Sequence, residues 1–462
     1  MSKDDDKSDE RRTRSSAEGA AKVNDRKLAQ VVAEGGRLRA LVLELWQRTR
    51  MDWGFVTDRL AQTFRAEKWI GSHERRFVGE TLFGMVRHLR RIDAALERGR
   101  KAKKAPKDLE RLLALLVLEK LLEPAAAARV ERDLDWVAVA GIDDVIAKER
   151  RPVVRLALAA SFPDWLAERF VSDWGDRAEA LALALNQRAP MTIRANTLIA
   201  SRDEVRDELA KAEMTTSVGK WSDTALHVES RTNLFTLEAF KRGALEVQDE
   251  GSQLLAELAT GGLATDKPLV IDLCAGAGGK TLAIAARLGN KGRLIASDVD
   301  ERKLDELKKR ARRATVSTVQ ALHLDDGRWP KELDALRGKA DVVFVDAPCS
   351  GIGALRRNPE ARWRLRDADL ATFAKKQREI LDGAFQLCAP GGRIVYATCT
   401  LVSVENQRVV ADYMAARPEL STVPLANVLG ERAAAFGDGD AFVSRPDAHG
   451  TDGFFAHVLH RA

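Results

Sequence analysis

PLVIDLCAGAGGKTLAIAARLGNKGRLIASDVD, from Pro268 to Asp300, places an amphipathic helical stretch between two short apolar runs, and three glycines in four residues mark the turn into the helix. Strands that are apolar throughout, rather than alternating, are buried on both faces; alternating with helices, they predict a parallel, doubly wound sheet. The pattern continues downstream. VQALHLD, ADVVFVDAP and GGRIVYATC are further strands, with ERKLDELKKRA and LATFAKKQREILDGAFQLC as helices between them. An α/β domain is therefore expected over 246–462. Ligands of such sheets sit outside the carboxyl ends of the strands, where the candidate chemical groups of this half all fall.

Upstream the period changes. From about Arg37 to Lys148 apolar residues recur every three or four positions, as in LRALVLELWQ and RRFVGETLFGMVRHLRRID. This predicts an all-helical bundle over 35–150, punctuated by Pro106 and Pro124. Residues 151–245 read as one or two further helices and then a small α+β module. Its strands are MTIRANTL and ALHVES, and its helix is RDEVRDELAKA. Residues 1–28 are polar, mixed in charge and aperiodic, as in a disordered tail.

A chain of 462 residues exceeds one ordinary core. Its longest apolar run, around Leu112–Leu118, ends at Glu119 and Lys120, too short for a spanning helix. The N-terminus has no secretory apolar core. The four cysteines stand 75, 39 and 11 residues apart with no CxxC pair, and there are seven histidines, so no metal site is expected and a cytoplasmic location is. The net charge of +6 suits a polyanionic partner. The basic residues cluster at Arg98–Lys107 and Lys308–Arg313, each equally readable as a solvated face.

The loop Cys274, Ala275, Gly276, Ala277, Gly278, Gly279 and Lys280 follows the first strand and opens a helix. Glycines allow a tight turn and close ligand approach, and the helix start offers free N–H groups. Nineteen residues past Gly279 the next strand ends at Asp298, placed to accept hydrogen bonds from ribose hydroxyls. Dinucleotide and S-adenosylmethionine (SAM) proteins share this arrangement. Gly279-Lys280-Thr281 ends like a phosphate-binding loop, but the required leading glycine is Cys274; the dehydrogenase spacing GxGxxG is GxGG here.

The last strands deliver Asp346-Ala-Pro-Cys349-Ser-Gly and Tyr396-Ala-Thr-Cys399-Thr, so two thiols and a carboxylate converge at one rim. A lone cysteine at a strand end is usually a small buried hydrophobe. Two on neighbouring strands beside a nucleoside site suit nucleophilic chemistry. Carbon 5 of cytosine takes a methyl group only after a thiolate adds to carbon 6, and a carboxylate at the N3/N4 edge would stabilise the ring. A free thiol titrates at about 8.5, so the site must lower that or supply a base. Cys388 is expected mid-helix in the core.

DLCAGAGGK, DDGRW, DAPCSGIGALRRNPEARW, GGRIVYATCT with Glu405-Asn406 downstream, and DGFFAHVL resemble the RNA 5-methylcytosine methyltransferases, the bacterial RsmB (Sun/Fmu) and eukaryotic NSUN group. FPDWLAERF, LNQRAPMTIRAN and ALEVQDEGSQ extend the likeness, and the helical segment is similar to the NusB-like N-terminal domain of the RsmB branch. The resemblance covers about 35–462. It implies a Rossmann-like SAM domain in which Cys274–Lys280 wrap the methionine part of SAM, Asp298 holds the ribose and Asp326 faces the adenine. It also places Asp346 between cofactor and base, makes Cys399 the nucleophile and associates Cys349 with resolving the adduct. Lys280 joins Asp346 and the two cysteines in the expected catalytic set. Ala277 stands where the family usually has proline, and Thr400 where it usually has serine.

The resemblance favours 16S ribosomal RNA as substrate, with transfer RNA second and a non-catalytic RNA-binding assembly factor as the alternative from another class. The TC motif disfavours DNA. The target base must be unpaired or flipped out. Arg356-Arg357 and Arg362-Trp363-Arg364 are candidate phosphate and base-stacking contacts. The protein is expected to act as a monomer.

Overall fold

The computed structural model describes residues 23–101, 104–229, 233–325 and 327–462. They form two compact units. One ends at Asn186 and also takes in Asn358–Leu365; the other comprises Gln187–Arg357 and Arg366–Ala462.

The first unit is helical. It begins within the expected tail: residues 23–34 are a helix with Ala29, Val32 and Ala33 packed in the core, a three-to-four spacing that gives it an apolar stripe. Helix Gly36–Asp52 buries Leu38, Leu41, Val42, Leu45 and Trp46 on one face. Helix Asp108–Leu118, the run LLALLVL, is buried on every side from Leu112 onward, which is why it is apolar all round. Helices Pro152–Ala159, Asp164–Trp174 and Ala178–Ala184 belong to this unit as well, so it runs past residue 150.

Asn358–Leu365 enters this unit from far along the sequence. Arg362 is fully buried. Its guanidinium donates to the carbonyls of Arg87 (3.3 Å) and Ala160 (2.9 Å) and to Oδ1 of Asn186 (2.8 Å). Arg87 and Ala160 sit at helix C-terminal ends, where unpaired carbonyls favour a cation. Burial, followed by the charge of Arg87, still pulls the Arg362 guanidinium down to about 9. Trp363 donates its indole N–H to Val86 at 2.7 Å and lies 5.9 Å from the Trp53 ring.

The second unit holds two sheets. Strands β1 (Met191–Ala195), β2 (Thr216–Val218), β3 (Ala225–Val228) and β4 (Leu245–Val247) make an antiparallel sheet in the order β2-β3-β1-β4. Helix Arg202–Lys211, capped by Ser201 and Glu204, contributes Val205 and Leu209 to the core on its apolar face. The larger sheet comprises β5 (Leu269–Asp272), β6 (Arg293–Asp298), β7 (Val319–His323), β8 (Ala340–Asp346), β9 (Cys388–Thr398), β10 (Leu420–Thr422), β11 (Gly437–Asp438), β12 (Ala441–Ser444) and β13 (Phe454–Arg461). Its order is β11-β12-β13-β9-β8-β5-β6-β7, with β10 beside β13. The five strands β7-β6-β5-β8-β9 are parallel; β10 to β13 add an antiparallel flank. This is a Rossmann-like α/β domain preceded by a helical one. Cys388, expected mid-helix, instead caps helix Asp367–Leu387 and opens β9, though it is buried as anticipated. The chain turns extended one residue earlier than the apolar spacing suggested. No helix among the described residues is long and apolar enough to cross a membrane.

Candidate active site

Strands β5 and β8 are neighbours although two strands, β6 and β7, separate them in sequence order, so the winding reverses between them. A crevice at the carboxyl ends is the consequence. Asp272 ends β5 and Asp346 ends β8. Asp272 is buried, accepting from Thr281 Oγ1 at 2.7 Å and from the Cys274 amide at 3.3 Å. Burial pushes its carboxyl from 3.8 up to about 7, against the Thr281 hydrogen bond. Burial also raises the Cys274 thiol well above its ordinary value, so Cys274 is a lining group rather than a thiolate.

The loop after β5 turns through Gly276 (φ 52°) and Gly278 (φ 84°), conformations that a side chain strains. At Gly278 a Cβ would also stand 2.6 Å from Leu307 Cγ, so the backbone lies tight against helix Glu301–Arg313. The loop is fastened to β6 by Ala275 N–H to Ser297 O (3.0 Å) and by Gly276 N–H to Asp298 Oδ2 (2.8 Å). Asp298 Oδ1 accepts from the Asp300 amide at 2.9 Å. Each carboxylate oxygen retains a lone pair for a further donor. Asp326 lies outside the described residues.

Across the crevice Lys280 Nζ donates to Asp346 Oδ2 at 2.7 Å and stands 5.6 Å from the Phe454 ring. Burial opposes the ammonium charge, but Asp346 outweighs it and holds Lys280 above its ordinary value.

β8 and β9 run in register, Asp346 opposite Ala397, and this carries the two thiols to the same level. Cys349 Sγ and Cys399 Sγ are 3.4 Å apart. Their hydrogen bond, then burial, raises the Cys349 thiol well above its ordinary value, and the charge of Glu405 adds to this. Cys349 is thus held protonated. The two loops cross a third at Gly353, whose added Cβ would lie 2.1 Å from the Gly453 carbonyl; only glycine permits this approach.

Behind the thiols lies a polar cluster whose roles sequence reasoning missed. Glu405, fully buried, accepts from the Ser350 amide (2.9 Å), from Ser350 Oγ and from Gln377 Nε2 (3.1 Å). Ser350 Oγ and Thr400 Oγ1 are 2.8 Å apart, so the threonine hydroxyl ties the Cys399 loop to the Cys349 loop. Asn406 donates to the Thr400 carbonyl at 3.0 Å and accepts from Thr398 at 2.6 Å. Glu405-Asn406 following TCT was a visible signal; nothing local marked Gln377.

The structure therefore brings together Cys274–Lys280, Asp298, Asp346, Cys349 and Cys399. Of the candidate phosphate and stacking contacts it leaves Arg364 exposed but withdraws most of the others. Arg356 is buried against Asp452 (3.3 Å) and the Gly450 carbonyl, and Arg357 pairs with Asp452 and Asp249. Arg362 is buried in the helical unit and Trp363 packs, partly buried, against its core, and both donate to backbone carbonyls there. Both basic clusters are likewise partly neutralised: Arg100 pairs with Glu110, Lys107 with Glu131, and Arg310 and Arg313 with Glu246.

Residues 263–460 match the family model described as 16S rRNA methyltransferase RsmB/F, and residues 162–234 match the ferredoxin-like domain of RsmF/B-like methyltransferases. The chain is 30% identical to a probable ribosomal RNA small subunit methyltransferase B of Synechocystis, over 84% of this chain and 92% of that one. It is 36% identical to a putative methyltransferase of Mycobacterium tuberculosis, over 72% and 70% of the two chains. Among solved structures, PH0851 superposes with a TM-score of 0.71 at 26% identity, covering 91% of this chain and 97% of its own. With the parallel sheet, glycine loop and paired thiols in place, these likenesses identify the chain as a member of the RsmB/F family of SAM-dependent methyltransferases.

Proposed function

We propose that the protein methylates carbon 5 of a cytosine in RNA, with 16S ribosomal RNA as the substrate and Cys399 as the nucleophile. The observation that carries this reading is the 3.4 Å pairing of Cys349 and Cys399 beside the Lys280–Asp346 pair. A methyltransferase acting on oxygen or nitrogen has no use for two thiols, whereas an aromatic carbon needs one to attack and a group to assist release.

The loop residues fit SAM. A Cβ on Gly279 would meet nothing within 4 Å, so the backbone faces open space there, at the start of helix Gly279–Arg287. That helix start suits a carboxylate, and Asp298 suits ribose hydroxyls. When bound, SAM supplies an electrophilic methyl group. The remaining work falls to the chain. Cys399 adds to carbon 6 and gives carbon 5 enamine character; Asp346, charge-paired with Lys280, holds the N3/N4 edge. Once carbon 5 carries the methyl group its proton passes to a base such as water, and the electron pair left behind restores the 5,6 double bond as the carbon 6–sulfur bond breaks and Cys399 leaves with its electron pair. Cys349, held protonated within reach of Cys399, is suited to assist that release.

The choice of 16S ribosomal RNA is supported by the description of the matching family model and of the Synechocystis relative. The NusB-like helical unit and the small α+β module would grip folded RNA through shape and phosphate contacts. Bisulfite sequencing of ribosomal and transfer RNA tests this, comparing cells lacking the gene with cells complemented by wild-type or Cys399→Ala protein. A 16S position methylated only with wild type is expected. Loss confined to transfer RNA would transfer the substrate assignment, and no loss in either RNA would overturn it.

A further inference from the structure

We propose that Arg310 is a positioning residue for cofactor binding, a strut that braces the Cys274–Lys280 loop against the small antiparallel sheet. Its Nη1 donates to the Ala277 carbonyl at 2.8 Å while its Nη2 meets Glu246 Oε2, on β4, at 3.1 Å. The inference rests on the reading of this loop as the SAM site.

The loop needs such a brace. Two positive-φ glycines flank Ala277, and glycine backbones lose more freedom on ordering than any others. The β6 fastenings hold Ala275 and Gly276, but the peptide joining Ala277 to Gly278 leads directly into the helix start where the ligand-facing N–H groups lie. Gly278 N–H is already committed to the Ala275 carbonyl at 2.9 Å. The Arg310 bond fixes the other end of that same peptide, so both of its polar groups are held before a ligand arrives. Order established in advance is not a cost at binding.

The strut is itself rigid. Glu246 is 3% exposed, and its other oxygen is taken by Arg313, whose guanidinium lies 3.9 Å from the Phe240 ring. A carboxylate buried between two guanidinium groups has a fixed position, and a planar fork bonded at both prongs cannot swing. Arg313 shares the carboxylate but donates nothing to the loop, which makes it a natural control.

The test is calorimetry of SAM and S-adenosylhomocysteine with the full chain and no RNA, joined to hydrogen exchange of the Gly276–Gly279 amides. Arg310→Met should weaken both ligands by about tenfold, the scale of one charge-assisted hydrogen bond, and speed loop exchange in the free protein. Arg310→Lys, which keeps charge and bulk but lacks the two-pronged fork, should show a smaller loss in the same direction. Arg313→Gln, which loosens Glu246 but leaves the Arg310 bond to the loop in place, should lose clearly less than Arg310→Met. Ala277 has a negative φ, so Ala277→Pro should stiffen the same peptide and recover most of the affinity in the Arg310→Met background. Unchanged affinity and exchange in Arg310→Met or Arg310→Lys, an equal loss in Arg313→Gln, or no recovery with proline would overturn the proposal. Should Arg310→Met not fold, Arg310→Lys alone and with Ala277→Pro decides. Wild-type protein that binds neither ligand would instead overturn the cofactor reading beneath it.

Discussion

Cys349 Sγ lies 3.4 Å from Cys399 Sγ, at the ends of two adjacent parallel strands and in front of a buried carboxylate, Glu405, that is hydrogen-bonded to the residue after each thiol, Ser350 and Thr400. Cys399→Ala should abolish methylation and form no protein–RNA adduct, whereas Cys349→Ala should still attack and then stall, accumulating a denaturant-resistant adduct. Denaturing gels of each variant with SAM and substrate RNA read this directly. An adduct in Cys399→Ala and none in Cys349→Ala would exchange the two roles.

Asp298 holds the loop through Gly276 as well as offering lone pairs to a ribose. Asp298→Ala removes both, and SAM affinity should fall by about 1.5–3 kcal/mol. Calorimetry with unchanged affinity, or tight binding of ATP instead, would refute the assignment.

Asp272 carries a pH dependence. Its folded-state carboxyl sits near 7 against an ordinary 3.8, so its contribution to stability is fully present below about pH 4 and is lost as pH rises through 7. Asp272→Asn cannot ionise, and its denaturation midpoint should decline less between pH 5 and 8 than that of wild type. Parallel pH profiles would show that the decline originates elsewhere.

Arg362 is buried in the helical unit and Trp363 packs, partly buried, against its core, so Trp363→Ala should cost about 3 kcal/mol of that unit's stability. Deleting residues 1–150 removes the Val86 and Arg87 carbonyls that these side chains use, leaving a tryptophan uncovered and a guanidinium short of partners. The truncated chain should aggregate or melt earlier, by light scattering and calorimetry. A truncated chain as soluble and as stable as the intact second unit would contradict this.

The parallel sheet was legible because buried strands announce themselves locally: LVI and VVFV are apolar at every position and each is followed by an acid. Cys349 and Cys399 could be brought together from the winding rule alone. The roles of Glu405, Gln377 and Arg310 could not, since each acts on a residue 28 to 55 positions away, and no short pattern encodes such a meeting. Arg362 and Trp363 misled for a related reason, while Arg364 stays exposed. A charged triplet reads as surface unless one knows that carbonyls 202 and 275 residues upstream await its guanidinium.

The return of Asn358–Leu365 to the helical unit has a consequence for synthesis. Chains emerge from the N-terminus, and domains generally fold in that order as units. Here the bundle's last sequential helix ends at Ala184, yet its core gains Arg362 and Trp363 only after the parallel strands through β8 have been made. The nascent bundle must wait, incomplete, for most of the catalytic half to leave the ribosome, so chaperone occupancy on it should persist until about residue 365 has emerged.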